Sequence, residues 1–220
     1  PLQSLGLILV SLAALASALA AKAGGVIREW STIAFAAVAW AGLLVVSALA
    51  SLNAFVPPLL ASLGLPIDTS GHAQAWHILF HNLHYLPLMA SVALWYVLVE
   101  AVAGASPIFG SRFSKTVFAS YLLLVPPTSL YHMFLEPGLA DAVRVGGSLL
   151  SLFISVPTVL MFLSLIAALE ASARRASDRG RLDWLQRLPW GHPAFASLAA
   201  SVLNLAFGGV FAFVLIQERL

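Results

Sequence analysis

The run TIAFAAVAWAGLLVVSALASL, residues 32–52, contains no charged side chain. A helix of this length rises about 30 Å at about 1.5 Å per residue, which matches the hydrocarbon core of a bilayer. A backbone surrounded by lipid must satisfy its own hydrogen bonds, and an α-helix does so within one segment. This stretch therefore predicts that the chain is an integral membrane protein built from helices.

Further apolar runs lie on both sides of this stretch. The chain has 220 residues, of which 60% are hydrophobic and 9% charged, and this composition excludes an ordinary soluble domain. We interpret the opening run as a span, because it is too long for the core of a signal peptide. We expect one all-α transmembrane domain over residues 1–220, a polytopic bundle of six helices. The predicted spans are 2–21, 32–52, 73–99, 116–134, 146–169 and 194–216.

The basic residues are concentrated in alternate loops. Nine of the 11 lysines and arginines fall in the first, third and fifth loops, and the Arg-rich loop 171–189 holds five of them. The positive-inside rule then places these loops in the cytoplasm and both termini outside. Contact with anionic lipid is a second interpretation of loop 171–189. Nucleic acid is not an expected partner, because no basic surface is interleaved with exposed aromatic residues.

Three histidines and a tyrosine fall on one strip of the third predicted span. His77, His81 and His84 share one helix face at about 100° per residue, and Tyr85 lies one turn beyond His81. Imidazole is costly to hold in hydrocarbon unless it binds a partner, so the strip is a candidate functional site. The chain has no cysteine, which excludes disulfides, thiolate metal sites and iron–sulfur clusters. The strip could serve a metal, a haem edge or a proton path.

Three segments resemble the central helices of subunit I of haem-copper oxidases, the B family in particular. They are SLYHMFLEPG at 129–138, SLLSLFISVPT at 148–158 and LPWGHPAF at 188–195. In that family a His-Pro-x-x-Tyr motif supplies a copper ligand and a cross-linked tyrosine, and a later His-His pair supplies two more ligands. The first motif corresponds here to His81-Asn-Leu-His-Tyr85, with the same spacing from histidine to tyrosine. The position of the later pair is taken by Tyr131-His132. The resemblance covers essentially the whole chain. It implies that this chain corresponds to about the fourth to ninth helices of the family's subunit.

The resemblance implies a copper site with His81 and His132 as ligands and Tyr85 as a catalytic phenol. In this chain Asn82 replaces the proline of the first motif, and Tyr131 replaces the first histidine of the pair. The resemblance therefore does not identify the third copper ligand. The candidates for it are Tyr131, His84 and His77. The family's haem ligands lie on helices that this chain does not contain. We therefore expect no haem ligand here, and haem supplied by other helices or chains.

Three hydroxyl groups lie deep in the predicted spans. Tyr96 and Thr158 resemble positions that the family uses for proton input, and Ser151 lies on the same span as Thr158. A second interpretation is that these groups bond backbone carbonyls within the membrane helices. Under the first interpretation the residues Tyr96, Ser151 and Thr158 form part of a proton path.

The resemblance implies a function as part of the catalytic subunit of a respiratory oxidase in a prokaryotic plasma membrane. Such an enzyme reduces O₂ at a copper and haem site and couples the reaction to proton uptake. The implied partners are a haem-bearing chain and an electron-donating copper or cytochrome subunit. The missing haem helices are consistent with a split subunit, with a fragment of a longer chain, or with a divergent paralogue.

The alternatives are a non-catalytic structural subunit of a respiratory complex and an enzyme similar to nitric oxide reductase. An intramembrane diiron enzyme is disfavoured, because it would require more histidine-rich segments than this sequence contains.

Overall fold

The computed structural model describes residues 2–129, 140–175 and 180–217, and within these ranges the ordered elements are all helices. The prediction of an all-α fold is confirmed. The helices are α1 (Leu2–Ala23), α2 (Thr32–Ser62), α3 (His72–Ala103), α4 (Gly110–Thr128), α5 (Asp141–Phe153), α6 (Ser155–Arg174), α7 (Asp183–Gln186) and α8 (Pro193–Gln217).

Five segments of the described chain are long and apolar enough to cross a membrane. They are Leu2–Ala23, Thr32–Ser62, His72–Ala103, Asp141–Arg174 and Pro193–Ala212. Each matches one predicted span, although α2 and α3 extend about ten and four residues beyond the predicted ends at 52 and 99. The remaining span, 116–134, corresponds to α4 and continues into residues 130–134, which lie outside the described residues. The count of six spans and the outward location of both termini stay predictions.

Local sequence explains where several helices begin and end. The Ser31 side chain caps α2 by accepting a hydrogen bond of 3.1 Å from the Ala34 backbone N–H. α3 ends at Gly104, which adopts a left-handed backbone with φ of 58°. Pro157 cannot donate a hydrogen bond to the Phe153 carbonyl, and the helical hydrogen bonding is interrupted at Ile154, whose backbone stays helical, between α5 and α6.

α4 buries one of its faces against several other helices. It packs against α2, α3, α5 and α6, and its residues Phe118, Tyr121 and Val125 are completely buried. The opposite side of α4 is exposed, with Leu123 at 73%, so the helix buries one face only and is less hydrophobic than its neighbours.

Polar contacts join neighbouring helices at intermediate depth. The Trp40 indole N–H donates to the Leu86 carbonyl over 2.9 Å and connects α2 to α3. The Trp95 indole N–H donates to the Ser201 hydroxyl over 3.0 Å and connects α3 to α8. These bonds fix the register of α3, which carries the histidine strip, against both neighbours.

The three basic loops meet at one end of the bundle. The Lys115 ammonium group donates to the Trp30 carbonyl over 2.6 Å, and the Ser172 hydroxyl donates to the Ala103 carbonyl over 3.1 Å. These contacts bring the first loop, the start of α4, the end of α3 and the end of α6 together. We call this end, marked by Trp30, Ala103 and Ser172, the basic end.

Candidate functional site

The buried part of the histidine strip is centred on His81. This side chain is 5% exposed, and the half-buried Tyr85 ring lies one turn further along α3. The two ring centroids are 4.9 Å apart, with an angle of 41° between the ring planes. The expected proximity of His81 and Tyr85 is therefore present in the fold.

The other two histidines of the strip lie in different surroundings. His84 is exposed, with a ring nitrogen 2.7 Å from the Phe80 carbonyl and its ring against the Phe80 ring. His77 is half-buried, one turn before His81. Although the four side chains share one strip of the helix, neighbouring helices cover only part of that strip.

The residue that replaces the motif proline is completely buried. Asn82 is 0% exposed, and neither polar atom of its amide has a hydrogen-bond partner among the described residues. A buried amide without hydrogen-bond partners lowers the free energy of unfolding by about 1–3 kcal/mol relative to a hydrogen-bonded amide. The substitution therefore introduces a polar group directly beside His81.

A copper site of three imidazoles is not formed by the described residues alone. Within residues 2–129, 140–175 and 180–217, no three His, Cys, Asp or Glu side chains come close enough to hold a metal ion. His81 is the one buried imidazole in this part of the chain. His132 and Tyr131, the other expected ligands, lie outside the described residues.

A cavity of about 550 Å³ brings together three of the predicted site residues. Tyr85 of α3, Ser151 of α5 and Thr158 of α6 all line it, and apolar residues of α8 such as Val210 complete its wall. The Ser151 hydroxyl donates to the carbonyl of Ser148 in its own helix over 2.7 Å. Ser151 therefore shows the backbone bonding that the second interpretation expects.

Tyr121 of α4 contacts two of the predicted site residues and was not itself predicted from the sequence. Its hydroxyl lies 2.8 Å from Thr158 Oγ1, and its ring centroid is 6.4 Å from that of Tyr85. The signal that could have identified it is its spacing of three and four residues from Phe118 and Val125, which places all three on the buried face of α4.

Tyr96, the remaining predicted residue of the proton path among the described residues, contacts Met161 rather than Thr158. Its hydroxyl donates to the Met161 sulfur over 2.9 Å, and its ring packs against Phe118 with centroids 6.0 Å apart. Met161 is three residues beyond Thr158 on α6. The hydroxyls of Tyr121 and Tyr96 thus meet successive turns of α6.

The model of the family described as cytochrome c and quinol oxidase polypeptide I matches residues 2–219. The chain belongs to this family. It is also similar to cytochrome c oxidase subunit 1 of Thermus thermophilus, with 30% identity over 129 residues. The aligned part is 59% of this chain and 23% of the Thermus protein, so the chain matches less than a quarter of that relative.

The family match confirms the resemblance to haem-copper oxidase subunit I. The family's description names cytochrome c and quinol oxidases, and the similar Thermus protein is by its name a subunit of cytochrome c oxidase. The five long apolar segments of the described residues agree with an integral membrane protein of this family. The roles of individual residues in this chain stay predictions from the motif spacing.

Proposed function

We propose that this chain forms part of the catalytic subunit of a haem-copper oxidase that reduces O₂ and couples the reaction to proton uptake. The observation that carries the proposal is the buried His81 in ring contact with Tyr85, which in turn lines the cavity shared with Ser151 and Thr158. The family match over residues 2–219 supports the same function.

His81 is the ligand that α3 would supply to copper, since it is the buried imidazole of the described strip. His132 would be the second ligand, and the third would be Tyr131, His84 or His77. The described residues do not complete the site, so the ligand set requires a direct test. Haem would come from other helices or chains, together with an electron-donating copper or cytochrome subunit.

The hydroxyl groups around the cavity would serve the proton side of the reaction. Tyr85 carries a phenol proton at the cavity wall, and the Tyr121–Thr158 hydrogen bond holds a second phenol close to it. Tyr96 would lie on the same path nearer the basic end, where it contacts Met161 on the next turn of α6. Ser151 lines the cavity but donates to a backbone carbonyl, so its contribution would require its hydroxyl to rotate.

Metal analysis of the purified membrane complex tests this proposal. We expect His81→Ala and His132→Ala each to lose copper and O₂ reduction. His192→Ala is the matched control, because His192 is an exposed imidazole in the turn before α8. Unchanged copper content and oxygen consumption in both site variants would exclude the catalytic assignment.

A non-catalytic subunit or divergent paralogue is the second candidate function. The observation that favours it is that Asn82 replaces the motif proline and Tyr131 replaces the first histidine of the pair. A nitric oxide reductase is a close variant of the first candidate. Assaying the same complex with O₂ and with nitric oxide separates these functions: a structural subunit would leave both rates insensitive to His81→Ala.

A further inference from the structure

A second cavity, of about 320 Å³, lies between α6, α8 and the segment that connects them. Its lining is apolar and includes Leu165 and Leu169 of α6, Trp184 and Leu188 of the connection, and Leu198 and Ala199 of α8. Leu169 is three residues before Ser172, one of the residues that mark the basic end. The cavity is therefore at the basic end of the bundle.

The size and lining of this cavity select the kind of molecule that fits it. A helix with side chains is about 10 Å across and is too wide for a space of this volume. A polar solute would lose its hydration without gaining hydrogen bonds from the lining. A flexible hydrocarbon chain is narrow enough for the cavity, and it has no polar groups that would lose hydrogen bonds to water.

Trp190 lies at the rim of the cavity in a fixed orientation. Its indole N–H donates to the Leu185 carbonyl over 2.6 Å, and its ring meets the Phe195 ring edge-on at 5.2 Å. The side chain is 49% exposed although it also lines the cavity. Tryptophan with one wet and one apolar face is typical of the boundary between lipid headgroups and acyl chains.

The connection above the cavity carries an excess of positive charge. Its described residues from 170 to 192 contain four arginines against two carboxylates, Glu170 and Asp183. Arg174 pairs with Glu170 at 2.7 Å and donates to two carbonyls of the loop, which holds the connection in place. Arg181 and Arg187 are exposed, and Arg187 lies between the lining residues Leu185 and Leu188.

We propose that this cavity binds an acyl chain of an anionic phospholipid, whose phosphate is attracted by Arg181 and Arg187. The apolar lining holds the chain by van der Waals packing, because lipid tails are as apolar as the lining and transfer between them brings no hydrophobic gain. The arginines provide selectivity for a negative headgroup. The site is separate from the His81 region and does not depend on the proposed oxidase function.

Native mass spectrometry of the delipidated membrane complex tests the headgroup selectivity. The probes are phosphatidylglycerol and phosphatidylcholine with identical acyl chains. We expect phosphatidylglycerol to bind more tightly, and the double variant Arg181→Gln/Arg187→Gln to weaken it about 30-fold while leaving phosphatidylcholine unchanged. Arg112→Gln, which removes an exposed arginine at the start of α4, is the control and is expected to bind both lipids as before. Equal binding of the two lipids by the unmodified complex would overturn the proposal.

A second measurement locates the acyl chain. Phosphatidylglycerol brominated on its acyl chains quenches nearby tryptophan, and we expect the Trp190→Phe complex to lose a distinct part of this quenching. Ala199→Phe fills the cavity and is expected to abolish retention of phosphatidylglycerol. Quenching identical with and without Trp190 would exclude this cavity as the lipid site, even if Ala199→Phe does not fold.

Discussion

The Tyr121 hydroxyl of α4 lies 2.8 Å from Thr158 Oγ1 of α6. Tyr121 is completely buried, while Thr158 reaches the cavity that Tyr85 also lines. One hydrogen bond therefore joins the buried face of α4 to the wall of the candidate site. This bond stabilises the contact of α4, a weakly hydrophobic helix, with α6.

We expect Tyr121→Phe and Thr158→Val to be coupled. Hydrogen bonds between membrane helices contribute about 0.6 kcal/mol on average and at most about 1.7 kcal/mol. A double-mutant cycle on the free energy of unfolding of the purified complex should give a coupling energy in this range. Ser155→Ala combined with Tyr121→Phe is the control, because the Ser155 hydroxyl donates to the nearby Leu152 carbonyl and should show no coupling to Tyr121.

Asn82→Leu is expected to stabilise the protein. Leucine has the same branched arrangement of side-chain heavy atoms as asparagine, and it removes two buried polar atoms that have no hydrogen-bond partner among the described residues. We expect the free energy of unfolding to rise by about 1 kcal/mol, measured by thermal unfolding in detergent. A decrease would show instead that the amide has a polar partner in the assembled complex.

Two glycine substitutions should have opposite effects. Gly104 ends α3 with φ of 58°, so Gly104→Ala imposes a strained backbone and is expected to cost about 1 kcal/mol. Gly146 lies within α5, and a methyl group added there meets no atom within 4 Å. Gly146→Ala should therefore stabilise the helix by about 0.5–1 kcal/mol. The same sign of the change in melting temperature for both variants would contradict this explanation.

The attachment of α8 to α3 should depend on Ser201. Ser201→Ala removes the acceptor of the buried Trp95 indole N–H and leaves that donor without the observed partner. We expect faster hydrogen exchange along α8 and a loss of about 1–3 kcal/mol of stability. Ser197→Ala, at an exposed position of the same helix, should leave the exchange rates unchanged. Equal exchange in both variants would show that the Trp95–Ser201 bond does not hold α8.

Much of the fold could be predicted from composition. A run such as residues 32–52 has few structural alternatives, because a lipid-exposed backbone must be helical. The alternation of basic loops also predicted that the first, third and fifth loops share one end, and the Lys115–Trp30 and Ser172–Ala103 contacts agree with this. The extension of α2 through Pro57 and Pro58 was less predictable, since proline usually signals a helix end.

The candidate site could be predicted only in part. Spacing along α3 placed His81 beside Tyr85, because residues four apart lie on successive turns of one helix. The same spacing could not distinguish the buried His81 from the exposed His84, since burial depends on which neighbours cover each part of the strip. Tyr121 was missed because its partner, Thr158, is 37 residues away in sequence.

The sequence by itself determined that this chain is a helical membrane protein of the haem-copper oxidase family, and it determined the one-turn spacing of His81 and Tyr85. Both follow from local physics, namely the hydrophobicity of single segments and the pitch of one helix. The tertiary structure decided that Tyr85 and Thr158 line one cavity, that Tyr121 is hydrogen-bonded to Thr158, and that an apolar space lies beside the arginines at the basic end. These features depend on how four separate helices pack, because contacts between distant segments are set by the shapes of whole helix faces rather than by any single stretch of the chain.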